Sequence, residues 1–265
     1  MKGFSIMTNK KTKKHSFKFL SVICIMLVAS LCFMLTGCGG EVSTTSTSSK
    51  AEEVTSEDTT ELTTEDTTET PTFGDEPIIA EIDIKNYGKI TVELDGKTAP
   101  ITVANFINLA NEGFYDGLTF HRIIKGFMMQ GGDPLGNGTG GSDEDIVGEF
   151  ALNGHTNNIS HIRGTISMAR SGSSYEQYLS MGYKMSDLPA DAKSDIERAC
   201  NSGSSQFFIC HKDSTFLDGS YAAFGRVTEG MEVVDAVCEQ AKPTDDNGTI
   251  PKSDQPVIES IKILE

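Results

Sequence analysis

Positive charge is scarce in this sequence. Six of its 22 Lys and Arg residues lie within the first 18 positions (Lys2, Lys10, Lys11, Lys13, Lys14 and Lys18), where there is no acid. The rest of the chain sets 16 Lys+Arg against 38 Asp+Glu, a net charge of −22. Such a surface repels phosphate backbones and lacks the basic stripe of a nucleic-acid binder, so nucleic acid is excluded as a partner. Cysteines in metal-binding spacing are missing too. Of the six, Cys24 and Cys32 lie in an apolar run and Cys38 follows it. Cys200, Cys210 and Cys238 have neither CxxC spacing nor an accompanying His pattern, which argues against zinc. A disulfide among these three is left open. Asp143-Glu-Asp145 and Asp245-Asp246 lack the full spacing of a calcium loop and read as solvated acidic turns. No metal and no cofactor is expected.

Apolar residues are almost absent from Gly39 to Glu76, where Ser, Thr, Glu and Asp dominate. Few groups to bury and many like charges cannot offset the entropy of ordering, so this stretch is expected to be a disordered, self-repelling tether. In front of it stand a lysine-rich arm and the uncharged run from Phe19 to Met34, which ends in Leu35-Thr36-Gly37-Cys38. That organisation is a signal peptide's, and its last four residues resemble the bacterial lipobox. The resemblance implies lipidation of the Cys38 thiol and cleavage before it. The domain would then sit on the extracytoplasmic face of the cell membrane, held by acyl chains that contribute about 0.8 kcal/mol per buried methylene. The competing reading is an uncleaved membrane anchor, since the run approaches the roughly 20 residues that span a bilayer. Residues 1–37 are thus assigned to the signal peptide, 38–76 to the lipidated cysteine and tether, and 77–265 to a folded domain of ample size for one core.

Within that domain, Ile78–Ile84 and Lys89–Leu94 alternate apolar and polar residues around Lys85-Asn-Tyr-Gly88, the pattern of a β-hairpin. Pro100 opens a helical stretch with Val103, Phe106, Ile107 and Ala110 on one face, closing near Gly113. Met231–Ala241 repeats that pattern with Val233, Val234, Val237 and Cys238 ahead of Pro243, and Val257–Leu264 is β-rich. Many short strands and two helices predict a mainly β fold, a closed barrel with helical caps.

The segment Phe120-His-Arg-Ile-Ile-Lys-Gly-Phe-Met-Met-Gln-Gly-Gly-Asp133 resembles the signature stretch of the cyclophilins. Further blocks match in order: Thr102–Leu109, Gly113–Gly117, Asn137–Gly141, Gly164–Ala169, Ser205–Ile209, Leu217–Gly219 and Ala223–Gly225. The resemblance spans 77–265. It implies a closed eight-stranded antiparallel β-barrel capped by two α-helices, with peptidyl-prolyl cis/trans isomerase activity on its outer face. Proline-containing peptides and unfolded exported proteins would be the partners. By the same resemblance Arg122 and Gln130 are the catalytic pair, and Phe127, Met128, Phe208 and Leu217 wall a proline pocket. Ala169, Arg170 and Gln206 line the peptide's path. Bond rotation needs no general base, so His121 reads as a structural imidazole. The alternative function is a surface-displayed peptide-binding or adhesion module with little isomerase activity.

Four departures from the family pattern stand out. Phe216 occupies the usual tryptophan position and Tyr221 the usual pocket histidine, so cyclosporin binding is expected to be weak. Arg170 replaces an asparagine and adds a charge beside the peptide path. An insertion of about 27 residues, near 172–203, carries Tyr175, Tyr178, Met181, Tyr183 and Met185 and a predicted helix over Ala190–Ala199. The barrel is expected to be complete without it. The insertion would then choose which peptides enter, contributing little to rotation itself. The Asn-x-Ser/Thr triplets at Asn137, Asn158 and Asn247 are given no role.

Overall fold

The computed structural model describes residues 69–264. The signal peptide, Cys38 and the tether as far as residue 68 lie outside the described residues, as does Glu265. Residues 69–76, assigned by composition to the tether, form no helix or strand, yet Phe73 packs against the core and Asp75 pairs with Lys97.

The predicted hairpin forms as β1 (Ile78–Ile84) and β2 (Gly88–Leu94). Alternation turns Ala80, Ile82, Ile84, Ile90 and Val92 inward with no exposure, and Ile82 faces Ile90 across the ladder. Asn86 adopts φ 67° and Gly88 φ 114° to reverse the chain. Helix α1 (Pro100–Asn111) starts on its proline, whose missing N–H costs nothing at a helix start. Its free N–H groups are served from afar. Glu149 accepts hydrogen bonds from Ile101 N (3.0 Å), Thr102 N (2.8 Å) and Thr102 Oγ1 (2.7 Å).

After α1 come β3 (Thr119–Ile124), β4 (Met128–Asp133) and β5 (Thr165–Met168). The insertion contributes α2 (Glu176–Ser180) and α3 (Ala190–Cys200). The chain finishes with β6 (Phe207–Cys210), β7 (Ala223–Glu229), α4 (Met231–Gln240) and β8 (Ile258–Leu264). The eight strands form one antiparallel sheet in the order β3-β4-β6-β5-β7-β2-β1-β8. It is a half-barrel, open and curled, rather than the closed barrel expected from sequence. The reason lies at its seam. Between β3 and the segment leading into β8 only two isolated bridges occur, Thr119 with Val257 and Arg122 with Thr249. A three-step advance along β3 is thus matched by eight steps opposite, because the chain makes an excursion through Pro251 and Pro256, which lack an N–H to extend a ladder.

Phe106, Tyr115, Phe120, Phe207 and Phe224 form the aromatic centre of the core, with Phe106 5.2 Å from Phe224 and edge-on to Phe207 at 5.6 Å. The insertion shares in this core. Leu188, Ala192, Ile196 and Cys200 are buried in it, with Tyr175, Leu179 and Met185 packed alongside. The expectation of a core complete without the insertion is therefore corrected: α3 is amphipathic and its apolar face has no other cover. Tyr178, Met181 and Tyr183 remain exposed. Cys200, Cys210 and Cys238 are buried and free.

Candidate active site

The same period of two that fills the core builds a second apolar cluster outside it. Met129, Phe207 and Ile209 point inward, so their neighbours Met128, Phe208 and Cys210 point out. These three, with Leu217, form a separate buried cluster flanked by Phe127, Ala169, Tyr221 and Ile124. Phe127 lies 5.5 Å from Phe216, and Phe208 meets Tyr221 edge-on at 5.8 Å. Phe216 is 68 % exposed and forms the rim. Cys210 lies beneath, its thiol pushed up to about 12 by burial, so it serves as an apolar filler.

Arg122 reaches this face through a bulge. The register shifts between Phe120 and Arg122, leaving His121 as the extra residue, so Phe120 stays in the core while Arg122 turns out. Opposite it across the ladder stands Gln130. Arg122 Nη1 donates to Gln130 Oε1 at 3.2 Å, and Gln130 Nε2 donates to Gln206 Oε1 at 2.9 Å. Gln206 Nε2 in turn donates to the Gly140 carbonyl at 2.7 Å. The guanidinium is also gripped from a place that sequence reasoning missed. Its Nε donates to the Asn247 carbonyl at 2.8 Å and Nη2 to Asn247 Oδ1 at 3.3 Å. Burial pushes Arg122 below its ordinary pKa, with Tyr221 and Asp245 pulling the other way. Burial raises the Tyr221 phenol, while Arg170 and Arg122 oppose it.

Ala169 N–H donates to Gln206 O at 2.9 Å and sets the edge of β5 beside the cluster. Arg170 departs from its expected place. Its side chain is 2 % exposed and paired with Glu176, so it adds no free charge to a peptide path. Behind Phe208 lies His161, stacked at 6.0 Å. Its Nδ1 meets Asp218 Oδ1 at 2.8 Å and its Nε2 meets Ser167 Oγ at 3.0 Å. The order Ser-His-Asp resembles a nucleophile relay, but Ser167 is fully buried and no acyl group can reach it. The trio braces the pocket floor. His121 is buried, and neither ring nitrogen has a hydrogen-bond partner among the described residues. Burial lowers its pKa, with Arg122 adding to this and Asp133 opposing, which makes it a neutral structural ring.

A cleft of about 580 Å³ lies elsewhere, between the 73–77 segment and strands β2 and β7. None of the site residues expected from sequence lines it.

Strands β3, β4 and β6 thus bring one guanidinium, held by Gln130 and Asn247, to the face that carries the second apolar cluster. The family model described as cyclophilin type peptidyl-prolyl cis-trans isomerase matches residues 79–181 and 190–264. The chain is 42% identical over 149 residues to peptidyl-prolyl cis-trans isomerase B of Bacillus subtilis, covering 56% of this chain and 82% of that protein. It is 41% identical over 154 residues to a peptidyl-prolyl cis-trans isomerase of Helicobacter pylori, covering 57% and 76%. Among solved structures, a cyclophilin type isomerase of Cryptosporidium parvum in the presence of the dipeptide Ala-Pro aligns with TM-score 0.53 and 28% identity. That match covers 71% of this chain and 99% of the other. The chain belongs to the cyclophilin-type peptidyl-prolyl cis-trans isomerase family, and it is an isomerase enzyme.

Proposed function

We propose that the chain accelerates rotation about Xaa-Pro bonds of exported proteins outside the cytoplasm, with Arg122 and the Met128–Phe208–Leu217 cluster as its working site. An Xaa-Pro bond rotates over tens to hundreds of seconds because amide resonance sets a barrier of about 18–20 kcal/mol. No bond is broken, so neither nucleophile, metal nor proton acceptor is called for. The site must favour the twisted amide, in which resonance is lost and the proline nitrogen becomes a hydrogen-bond acceptor. A guanidinium suits this: it is rigid, always charged, and presents several donors in one plane. Contacts made only to the twisted form raise kcat, and a barrier lowered by about 7 kcal/mol speeds rotation about 10⁵-fold.

The observation that carries this reading is the position of the Arg122 guanidinium, fixed by Gln130 and Asn247 beside the apolar cluster. Phe127, Met128, Phe208, Leu217 and Tyr221 would hold the proline ring, with Phe216 at the rim, and Ala169 and Gln206 would line the peptide backbone. Support for proline-peptide binding comes from the Cryptosporidium parvum relative with Ala-Pro present. The place of action rests on the sequence alone: the lysine arm, the apolar run and Leu35-Thr36-Gly37-Cys38. The test is to extract the chain from membranes and add it to an exported protein whose refolding is limited by proline. Acceleration of the slow phase, its loss in Phe208→Ala, and a diacylglycerol-modified Cys38 as first residue are expected. No acceleration, or a mature chain still carrying Met1, would contradict the proposal.

A further inference from the structure

Three departures from the cyclophilin pattern meet at one point. Arg170 follows the Ala169 edge, Tyr221 walls the pocket, and Glu176 opens helix α2 of the insertion. The Arg170 guanidinium donates to both carboxylate oxygens of Glu176, Nη1 to Oε1 at 2.8 Å and Nη2 to Oε2 at 2.9 Å. Its Nε donates to Ser220 O at 2.9 Å, and Nη1 also donates to Ser171 O at 2.8 Å. Its Cζ sits 4.8 Å from the centre of the Tyr221 ring and 5.2 Å from that of Phe150. Glu176 is itself held, since Oε1 accepts a 2.9 Å hydrogen bond from Ser173 N. An unbroken line of contacts therefore runs from the insertion through Arg170 and Tyr221 to Phe208 on the pocket floor.

A guanidinium this buried is stable only with a partner in good geometry, and losing one partner leaves an uncompensated charge that must move. The paired fork and the two ring faces supply that geometry. If Glu176 were neutral, Arg170 would lose its one charged partner and keep only the Ser220 and Ser171 carbonyls, which loosens the flat cation against the Tyr221 ring. We propose that Glu176 is a positioning residue for the proline pocket, holding Arg170 against Tyr221 and thereby setting how closely the Tyr221–Phe208 wall grips a bound peptide. This rests on the reading of that cluster as the proline pocket. It also changes the insertion's part: the segment shapes the pocket from behind, through one carboxylate.

Grip on the proline ring is shared by the planar and twisted amide, so its loss raises KM and leaves kcat alone. A merely structural fault does the opposite, lowering the active fraction and hence kcat with KM unchanged. In the full chain assayed on an Xaa-Pro peptide, Glu176→Gln is expected to raise KM about 5-fold while kcat stays within about two-fold. Glu176→Asp, which keeps the charge, should recover part of the affinity. Glu176→Gln should add nothing once Arg170 is Asn, because contacts in one line are not additive. Should Glu176→Gln fail to fold, Arg170→Asn with Glu176→Gln removes both charges of the pair, and its KM should match that of Arg170→Asn, raised above the parent. Parent-like KM in Glu176→Gln, or in the double variant, overturns the proposal, as does an equal rise from Glu176→Gln with and without Arg170. Phe208→Ala in the same assay separates the two readings. If it raises KM while Glu176→Gln leaves KM unchanged, only the positioning role fails; if Phe208→Ala keeps the parent's KM, the pocket assignment itself fails.

Discussion

His121 and Arg122 are chain neighbours with opposite fates, and the bulge between them decides both. The bulge sends Arg122 outward to Gln130 and Asn247, and it leaves His121 sealed inside, both nitrogens without a partner among the described residues. Burial depresses the His121 pKa below its ordinary 6.5, and His161 is depressed in the same direction, again by burial first. The sign follows directly. Below pH 6.5 the unfolded chain takes up protons that the folded chain refuses, so stability is full above that pH and falls as pH drops toward the folded values. Asp133 adds the same trend lower down: burial raises its carboxyl, but N–H donors from Leu135, Asn137 and Gly138 and nearby His121 hold it below 3.8. The urea midpoint should therefore decline between pH 6.5 and about 5, and less steeply in His121→Leu. A midpoint constant over that interval would show that neither histidine is held neutral.

At the scale of elements, periodicity was a sound guide where one face is buried. The β1–β2 hairpin, α1 and α4 lie within a residue or two of the ranges read from alternation and helical spacing, because Ile82, Phe106 and Val234 leave no other register that buries them. The insertion was legible only in part. Its helix α3 announced itself over Ala190–Ala199, but its place in the core did not, since Ala192 and Ile196 look no different from the apolar face of a surface helix. Ile196 is 1 % exposed within the main core, so Ile196→Ala should cost about 2–5 kcal/mol in denaturant unfolding. A loss under 1 kcal/mol would mean that the insertion folds apart from the sheet.

For the whole molecule, local motifs supplied the pocket and long-range geometry supplied its supports. Phe120–Asp133 and Ser205–Ile209 held most of the site in continuous stretches, hence its visibility in a single sequence. Asn247 lies 125 residues from the arginine it holds and sits in a triplet to which the sequence assigns no role, so no local signal marks it. The sequence places the Arg170 charge beside the peptide path, because burial cannot be seen from its neighbours, although Glu176 stands only six residues away. The open seam likewise depends on where an excursion through two prolines meets β3, a tertiary fact. In the proposed function one guanidinium, Arg122, carries the preference for the twisted amide. It is tested by kcat/KM of Arg122→Ala on an Xaa-Pro tetrapeptide, with folding checked by circular dichroism. A fall of more than about 10-fold is expected, at least about 1.4 kcal/mol of transition-state stabilisation, with the spectrum unchanged. A folded variant that keeps more than about a tenth of the parent's kcat/KM would contradict it.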